Sequence, residues 1–506
     1  MKLITFDVLG IQGQKVLVSV AVTPKMGSSF GIFGGVGLSD RAQTETRVRV
    51  KSALINSLFS FPGGSVEVLL DSAVPLSNSN GTLDLAVVLG VLEATEQVRL
   101  NPDGIAVIGT LGLDGSIKPV SGAICMALAA KATGIKTLYV PEKNAVECSM
   151  VTGIEIVPIQ PTLAEFVEYL RGNVSPKLTI PLPDTQHSSF PCLSDIRGQE
   201  HAKRALEIAA AGGHSILLVG PPGSGKTMLA RRLAGLMPAM TEDEILETTT
   251  VYSAAGLLDG RAGRVTSRPF RAPHYTVSDV AVTGGGSVPR PGETALAHNG
   301  VLFLDELPEF HRNVLEHVEH IHKSGESVVR SSKHGEVVFP AKFQIVGSMN
   351  PCPCGHLGDP RRVCTCTVPQ IERHHQRVAK FVESVFDIVV EVPTVSMEAL
   401  RDNKNLGETS VRVQERVAWA RKRTPRGPLN ALLTPTELHN VAPLEASETS
   451  FLERVVDKLA LSPEQYHRIV KVGRTVADLS GEARVRVEHL AEAVQYRSTL
   501  QKPMGV

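Results

Sequence analysis

Eight residues constrain this chain more than any others: Gly220-Pro221-Pro222-Gly223-Ser224-Gly225-Lys226-Thr227. They fit G-x-x-x-x-G-K-[ST], a phosphate-cradling loop that works only at the joint between a strand and a helix. Both flanks are present. Ile216-Leu217-Leu218-Val219 reads as a short buried strand, and Met228-Leu229-Ala230-Arg231-Arg232-Leu233 opens a helix. The glycines let backbone N–H groups curl around phosphate oxygens where a Cβ would intrude. The helix N-terminus adds partial positive charge. Lys226 is expected on the outer phosphates of ATP, with the Thr227 hydroxyl on Mg2+. The fold class that follows is α/β.

Two further strands carry polar ends. Val301-Leu302-Phe303-Leu304 runs into Asp305 and Glu306. Asp305 is expected in the Mg2+ shell, and Glu306 is expected to polarise the attacking water. The plainer alternative is a buried strand capped by acidic loop residues. Phe343 to Met349 is a strand ending in Asn350, where a polar side chain can sense the γ-phosphate.

At 506 residues the chain has room for about two to four domains. Lys plus Arg and Asp plus Glu number 52 each, so no overall basic footprint points to nucleic acid, and a local basic groove is left as the alternative. With one Trp and six Tyr, an extended base-stacking platform is not expected. No apolar run approaches the ~18–20 residues of a spanning helix. An acid at Asp7 comes too early for a signal peptide. The expectation is a cytoplasmic protein without a membrane partner.

Four of the seven cysteines cluster as Cys352-Pro353-Cys354 and Cys364-Thr365-Cys366. This C-x-C…C-x-C spacing suits a tetrahedral Zn2+ site on two knuckles. The alternative is a loop of reduced thiols. Cys125, Cys148 and Cys192 read as ordinary structural residues.

Composition divides the chain into four. Residues 1–170 mix strands (Lys15–Val22, Val66–Leu70) and buried helices (Leu83–Leu92, Ala123–Ala132). Residues 171–193 are rich in Pro, Ser and Thr and read as a linker. The nucleotide motifs fill 194–393. Helical periodicity dominates 394–506, in Val411–Arg421, Leu452–Leu461, Tyr466–Leu479 and Val487–Tyr496.

Several longer stretches carry a resemblance. Ser194-Asp195-Ile196-Arg197-Gly198-Gln199-Glu200, Phe270-Arg271-Ala272-Pro273-His274, Pro289-Arg290-Pro291-Gly292-Glu293 and Asn350-Pro351-Cys352-Pro353-Cys354-Gly355 resemble magnesium-chelatase-like AAA+ ATPases. So do Tyr466-His467-Arg468-Ile469 and Arg474-Thr475-Val476-Ala477-Asp478-Leu479. Nearly the whole chain is similar to the bacterial YifB/ComM group within that family. The resemblance implies a Lon-protease-like N-terminal domain, a P-loop AAA+ core and a C-terminal helical lid. It also implies a homo-oligomeric ring, expected to be a hexamer. That ring would be an ATP-driven motor on single-stranded or branched DNA, a helicase-like promoter of branch migration in recombination during natural transformation. Chelatase relatives use a similar ring for metal insertion, but they lack the Lon-like domain.

The resemblance also exposes departures. Gly112–Val120 and Gly134–Pro141 are similar to the Lon proteolytic domain, whose nucleophile and base positions fall near Leu83 and Ile124. Neither residue can do that chemistry, so the domain is expected to be proteolytically inactive. The family's arginine finger falls on Val385. Its L-R-Q-P-L-E appears as Val318-Glu319-His320-Ile321-His322-Lys323, and Arg373 and Arg377 lie off the matched position. Arg474 is expected to be a nucleotide sensor, the alternative being a solvated helix face. Thr283-Gly284-Gly285-Gly286-Ser287 with Arg264, Arg268 and Arg271 reads either as a DNA-gripping pore element or as a structural hairpin. The missing finger keeps open a nucleotide-binding assembly protein with weak or no hydrolysis.

Overall fold

The computed structural model describes residues 2–23, 29–34, 38–77, 81–173, 190–258, 263–396, 407–423 and 428–497. Most of the expected linker, 174–189, lies outside the described residues.

The N-terminal region begins with an antiparallel hairpin, Lys2–Leu9 against Gln12–Thr23. Ser65–Ser72 adds to it antiparallel, and Ser29–Gly34 pairs with Ser65–Ser72 in parallel. The strands expected at Lys15–Val22 and Val66–Leu70 lie inside these elements. A second, parallel sheet holds Ile105–Val107, Thr137–Pro141 and Glu155–Ile159. Helices Asp84–Ala94 and Ala123–Ala132 pack on the long strand Gln12–Thr23. Asp84–Leu92 is buried all round, as an apolar helix without a polar stripe must be.

The nucleotide motifs sit on a five-stranded sheet in the order Phe270–Arg271, Val301–Leu304, Gln344–Met349, Ile216–Val219, Ile388–Glu391. Every pairing is parallel. Parallel strands must be covered on both faces, which explains the uninterrupted apolar runs Ile216–Val219 and Val301–Leu304. In such a sheet ligands bind beyond the carboxyl ends of the strands. The phosphate loop, Asp305 and Asn350 all occupy that edge.

The C-terminal helices are Ser410–Arg423, Pro435–Val441, Ala446–Leu459, Pro463–Leu479 and Val487–Gln495. Two begin with Ser/Thr capping boxes, Thr434 with Glu437 and Ser462 with Gln465. The helix expected over Leu452–Leu461 instead starts at Ala446 and stops at Leu459, because Ala460 turns left-handed at φ 46°. One apolar cluster runs from Leu206 and Leu218 through Leu233 to Ile469, Val476 and Leu490. The helical region is therefore fused to the sheet domain by a shared core. No helix among the described residues is long and apolar enough to cross a membrane.

Candidate nucleotide-binding site

The phosphate loop is shaped by what its glycines avoid. A Cβ on Gly220 would lie 2.2 Å from the Val392 carbonyl oxygen, so only glycine passes there. Gly223 and Gly225 take φ of 75° and 94°, and a Cβ on either would meet nothing within 4 Å. The loop thus faces open space with its left-handed turns, as a phosphate cradle requires. Pro221 and Pro222 carry the chain across the strand end, and the Ser224 hydroxyl is buried without a partner.

Lys226 is buried and begins the helix Lys226–Leu236. Its Nζ donates to the carbonyls of Gly220 and Pro221 at 2.7 and 2.9 Å and to Asn350 Oδ1 at 3.2 Å. Burial lowers the lysine's pKa, while Asp305 and Glu306 oppose that shift. The ammonium rests on neutral carbonyls that a phosphate oxygen can replace.

Thr227 Oγ1 donates to Asp305 Oδ2 at 3.2 Å. This pair is a hard-oxygen donor set of the kind Mg2+ prefers. Ser348 sits opposite Leu218 in the sheet and donates to the other oxygen of Asp305. Ser348 Oγ also accepts from the Glu306 backbone N–H at 3.3 Å. Glu306 itself is exposed and held at φ 56°, an unusual backbone for a non-glycine residue. Strain of that kind costs about 1–3 kcal/mol and clusters at functional sites.

Asn350 faces the lysine with its side chain. Its backbone carbonyl accepts from His374 Nε2 at 3.0 Å. Lys226, Thr227, Asp305, Glu306 and Asn350 thus converge at one end of the sheet. Sequence reasoning missed two supporting residues. Ser348 could have been noticed as a hydroxyl at the carboxyl end of an apolar strand. Gln199, left-handed at φ 61°, donates to the Pro393 and Ser224 carbonyls and ties the entering chain to the loop.

Arg474 lies apart from this group. It is 3% exposed and donates to Asp478 Oδ1 at 2.8 Å and to the carbonyls of Glu482 and Ala483. The solvated-face alternative is thereby overturned, since the side chain is buried. Its donors are committed within the helical region.

The basic residues of the insertion are paired as well. Arg268 is buried against Glu244 and the Pro238 and Asn299 carbonyls. Arg271 makes a two-bond fork with Glu293, and Arg264 meets Glu242. Gly284–Gly285 pairs with Arg290–Pro291 as a short hairpin.

Val385 ends the helix Ala379–Val385 and is 4% exposed in an apolar cluster with Phe381 and Val382. Beside it, the exchanged charges on the helix Arg312–Ser324 still pair. Lys323 Nζ donates to Glu319 at 2.9 Å and to Ser384 Oγ at 2.7 Å, and Ser384 donates to Glu319. Arg377 lines a cleft of about 500 Å3 with Arg312, Glu319 and Lys380.

The four clustered sulfurs meet in space. Cys352 Sγ lies 3.4 Å from Cys354 Sγ and 3.6 Å from Cys364 Sγ, and Cys354 to Cys364 is also 3.6 Å. Cys366 completes the group. These separations far exceed a disulfide bond of about 2.0 Å. Sulfurs about 2.3 Å from a tetrahedral Zn2+ lie about 3.8 Å apart, close to the separations seen. The cluster fits the ion.

Comparison with known proteins agrees with this architecture. Residues 192–400 match the family description Magnesium chelatase, subunit ChlI, and 407–497 match its C-terminal part. Residues 18–144 match a further ChlI description. The chain is 40% identical to Competence protein ComM of Haemophilus influenzae over 477 residues, covering 92% of each protein. It is 38% identical to the protein YifB of Escherichia coli over 92% of this chain and 91% of that one. A stretch of 157 residues, 29% of this chain and 27% of the relative, is 31% identical to Lon protease 2 of Bacillus subtilis. With these matches spanning nearly its whole length, the chain belongs to the ComM/YifB family of magnesium-chelatase-like AAA+ proteins.

Proposed function

We propose that this protein is a cytoplasmic ATPase whose homo-hexameric ring remodels single-stranded or branched DNA during recombination, in the manner of a branch-migration helicase. The convergence of Lys226, Thr227, Asp305, Glu306 and Asn350 on one open loop carries the ATPase reading. The DNA and competence context rests on similarity to Competence protein ComM. In this reading Lys226 exchanges its loop carbonyls for phosphate oxygens, and Asn350 reads the γ-phosphate. Glu306 orients the attacking water and takes its proton. Thr227 and Asp305 would hold Mg2+, which when bound neutralises developing phosphate charge. Arg474 would act as a nucleotide sensor only after releasing its internal partners. The four-cysteine cluster would hold Zn2+. Residues 1–170, with Leu83 and Ile124 both buried among apolar side chains, would be a proteolytically inactive scaffold. It would be followed by the linker 171–193, the ATPase core 194–393 and the lid 394–506.

A second reading is a nucleotide-binding assembly protein with slow turnover. The burial of Val385 at the finger position favours it. One experiment separates the two: ATP hydrolysis with and without single-stranded or forked DNA, beside Lys226→Ala. DNA-stimulated turnover that weakens steeply with salt and vanishes in the variant supports the motor. ATP binding without turnover sinks it and leaves the assembly protein.

A further inference from the structure

The cysteine loop touches the nucleotide site at two points. Only Pro351 separates Cys352 from Asn350, the residue that bonds Lys226. Gly355, between the two cysteine pairs, lies directly against the phosphate loop. A Cβ there would sit 2.6 Å from Pro222 Cδ, and Gly355 needs φ +84° to make the turn.

Besides the sulfurs, polar contacts order this loop: His356 pairs with Asp359 at 3.3 Å, and Arg361 donates to the Val395 carbonyl. Residues 351–367 contain no helix or strand, and Val363 is 89% exposed. A loop without an apolar core is held by its crosslinks and end contacts. Its far end is anchored by the helix Val368–Gln376, where His374 and His375 donate to the Asn350 and Pro351 carbonyls at 3.0 and 2.8 Å. Its near end is anchored by the sheet. Between them the four sulfurs bring the two halves together, with Arg361 on the Val395 carbonyl as a further tie. Four neutral thiols attract one another weakly, whereas four thiolates on Zn2+ form a rigid knot worth many hydrogen bonds.

We propose that zinc on Cys352, Cys354, Cys364 and Cys366 is a strut for the nucleotide site. It holds Asn350 and Pro222 in place, so that nucleotide affinity follows metal occupancy. This rests on the zinc reading given under the proposed function.

The test measures two quantities on the full chain: zinc released on denaturation, and the Kd of a fluorescent ATP analogue. Two variants are compared with wild type, their folds checked by circular dichroism. The double variant Cys364→Ser with Cys366→Ser should lose zinc and bind the analogue about tenfold more weakly, the equivalent of one lost hydrogen bond. Gly355→Ala removes no sulfur ligand. It should keep one zinc per chain and weaken nucleotide binding similarly, by pushing on Pro222. If the double variant misfolds, the wild-type chain stripped of zinc by a chelator decides, by the same Kd measurement. Wild-type affinity in a folded, zinc-free double variant would overturn the strut and leave the zinc site standing. Wild-type affinity in zinc-loaded Gly355→Ala would overturn it equally. A wild-type chain purified without zinc would remove the zinc reading and the strut with it.

Discussion

Restoring the family's arginine by Val385→Arg should damage this protein and should not accelerate it. Val385 is 4% exposed and shares a core with Phe381, Val382 and Phe386. Losing a buried valine forfeits about 1.5–2 kcal/mol. Forcing a larger side chain into a packed cluster adds about 1–3 kcal/mol, and an unpaired buried guanidinium adds at least about 2 kcal/mol more. The sum is about 5 kcal/mol or greater. At about 2–4 °C per kcal/mol for domains of this size, the melting temperature should fall by about 10–20 °C. Val385→Ala, which removes volume without charge, should cost only about 1–2 kcal/mol. The assay is a thermal melt of the three proteins, followed by ATP turnover below the lowest transition. The reasoning fails if Val385→Arg melts within about 2 °C of wild type and hydrolyses ATP faster. That result would mean the helix Ala379–Val385 can turn this position outward.

Other expectations follow from the same geometry. Ser348→Ala removes the hydroxyl shared by Asp305 and the Glu306 N–H, so kcat should fall about tenfold or more while nucleotide affinity changes little. Unchanged kcat in a folded variant would show that Ser348 does not position these acids. Arg474→Ala leaves Asp478 and two carbonyls short of donors, and should lower stability by about 3–5 kcal/mol. A melt unchanged from wild type would refute that structural role. His322 is pushed down to about 4 by burial, with Asp387 opposing, from an ordinary value of 6.5. Its unfolded form therefore binds a proton that the folded form refuses, so stability is full above about pH 6.5 and is lost as pH falls toward 4. Melting temperature against pH should fall more steeply in wild type than in His322→Phe. Parallel profiles would exclude His322 as the cause.

Legibility from sequence followed the range of the forces involved. Ile216–Val219 and Val301–Leu304 were readable to the residue because unbroken apolar runs meet a glycine or an acid where the strand must stop. Ala123–Ala132 was equally clear. The helix Ala446–Leu459 was harder, since its first turn is Ala-Ser-Glu-Thr and its stop is an alanine in a glycine-like conformation. The polar nucleotide residues were readable because their spacing is set by chemistry. Their supports were not, because Ser348 meets Asp305 only through strand pairing. Sequence alone does not decide whether the insertion's arginines grip DNA or serve a structural hairpin, for the same reason: Arg268 finds Glu244, and Arg271 finds Glu293, more than twenty residues away. Val385 announced a missing arginine, but nothing local said that its replacement faces inward.

The strand Ile388–Glu391 forms one edge of the parallel sheet. Its Val389 N–H donates at 2.9 Å to the carbonyl of Tyr496, and Arg497 donates to the Phe386 carbonyl just before it. The last described turn of the chain therefore acts as a selvedge, finishing a border that would otherwise fray into pairing with other chains. A fragment cut near residue 393 would keep Lys226, Thr227, Asp305, Glu306 and Asn350 yet expose that border and half of a shared core. Such a fragment is a poor tool for studying the ATPase alone.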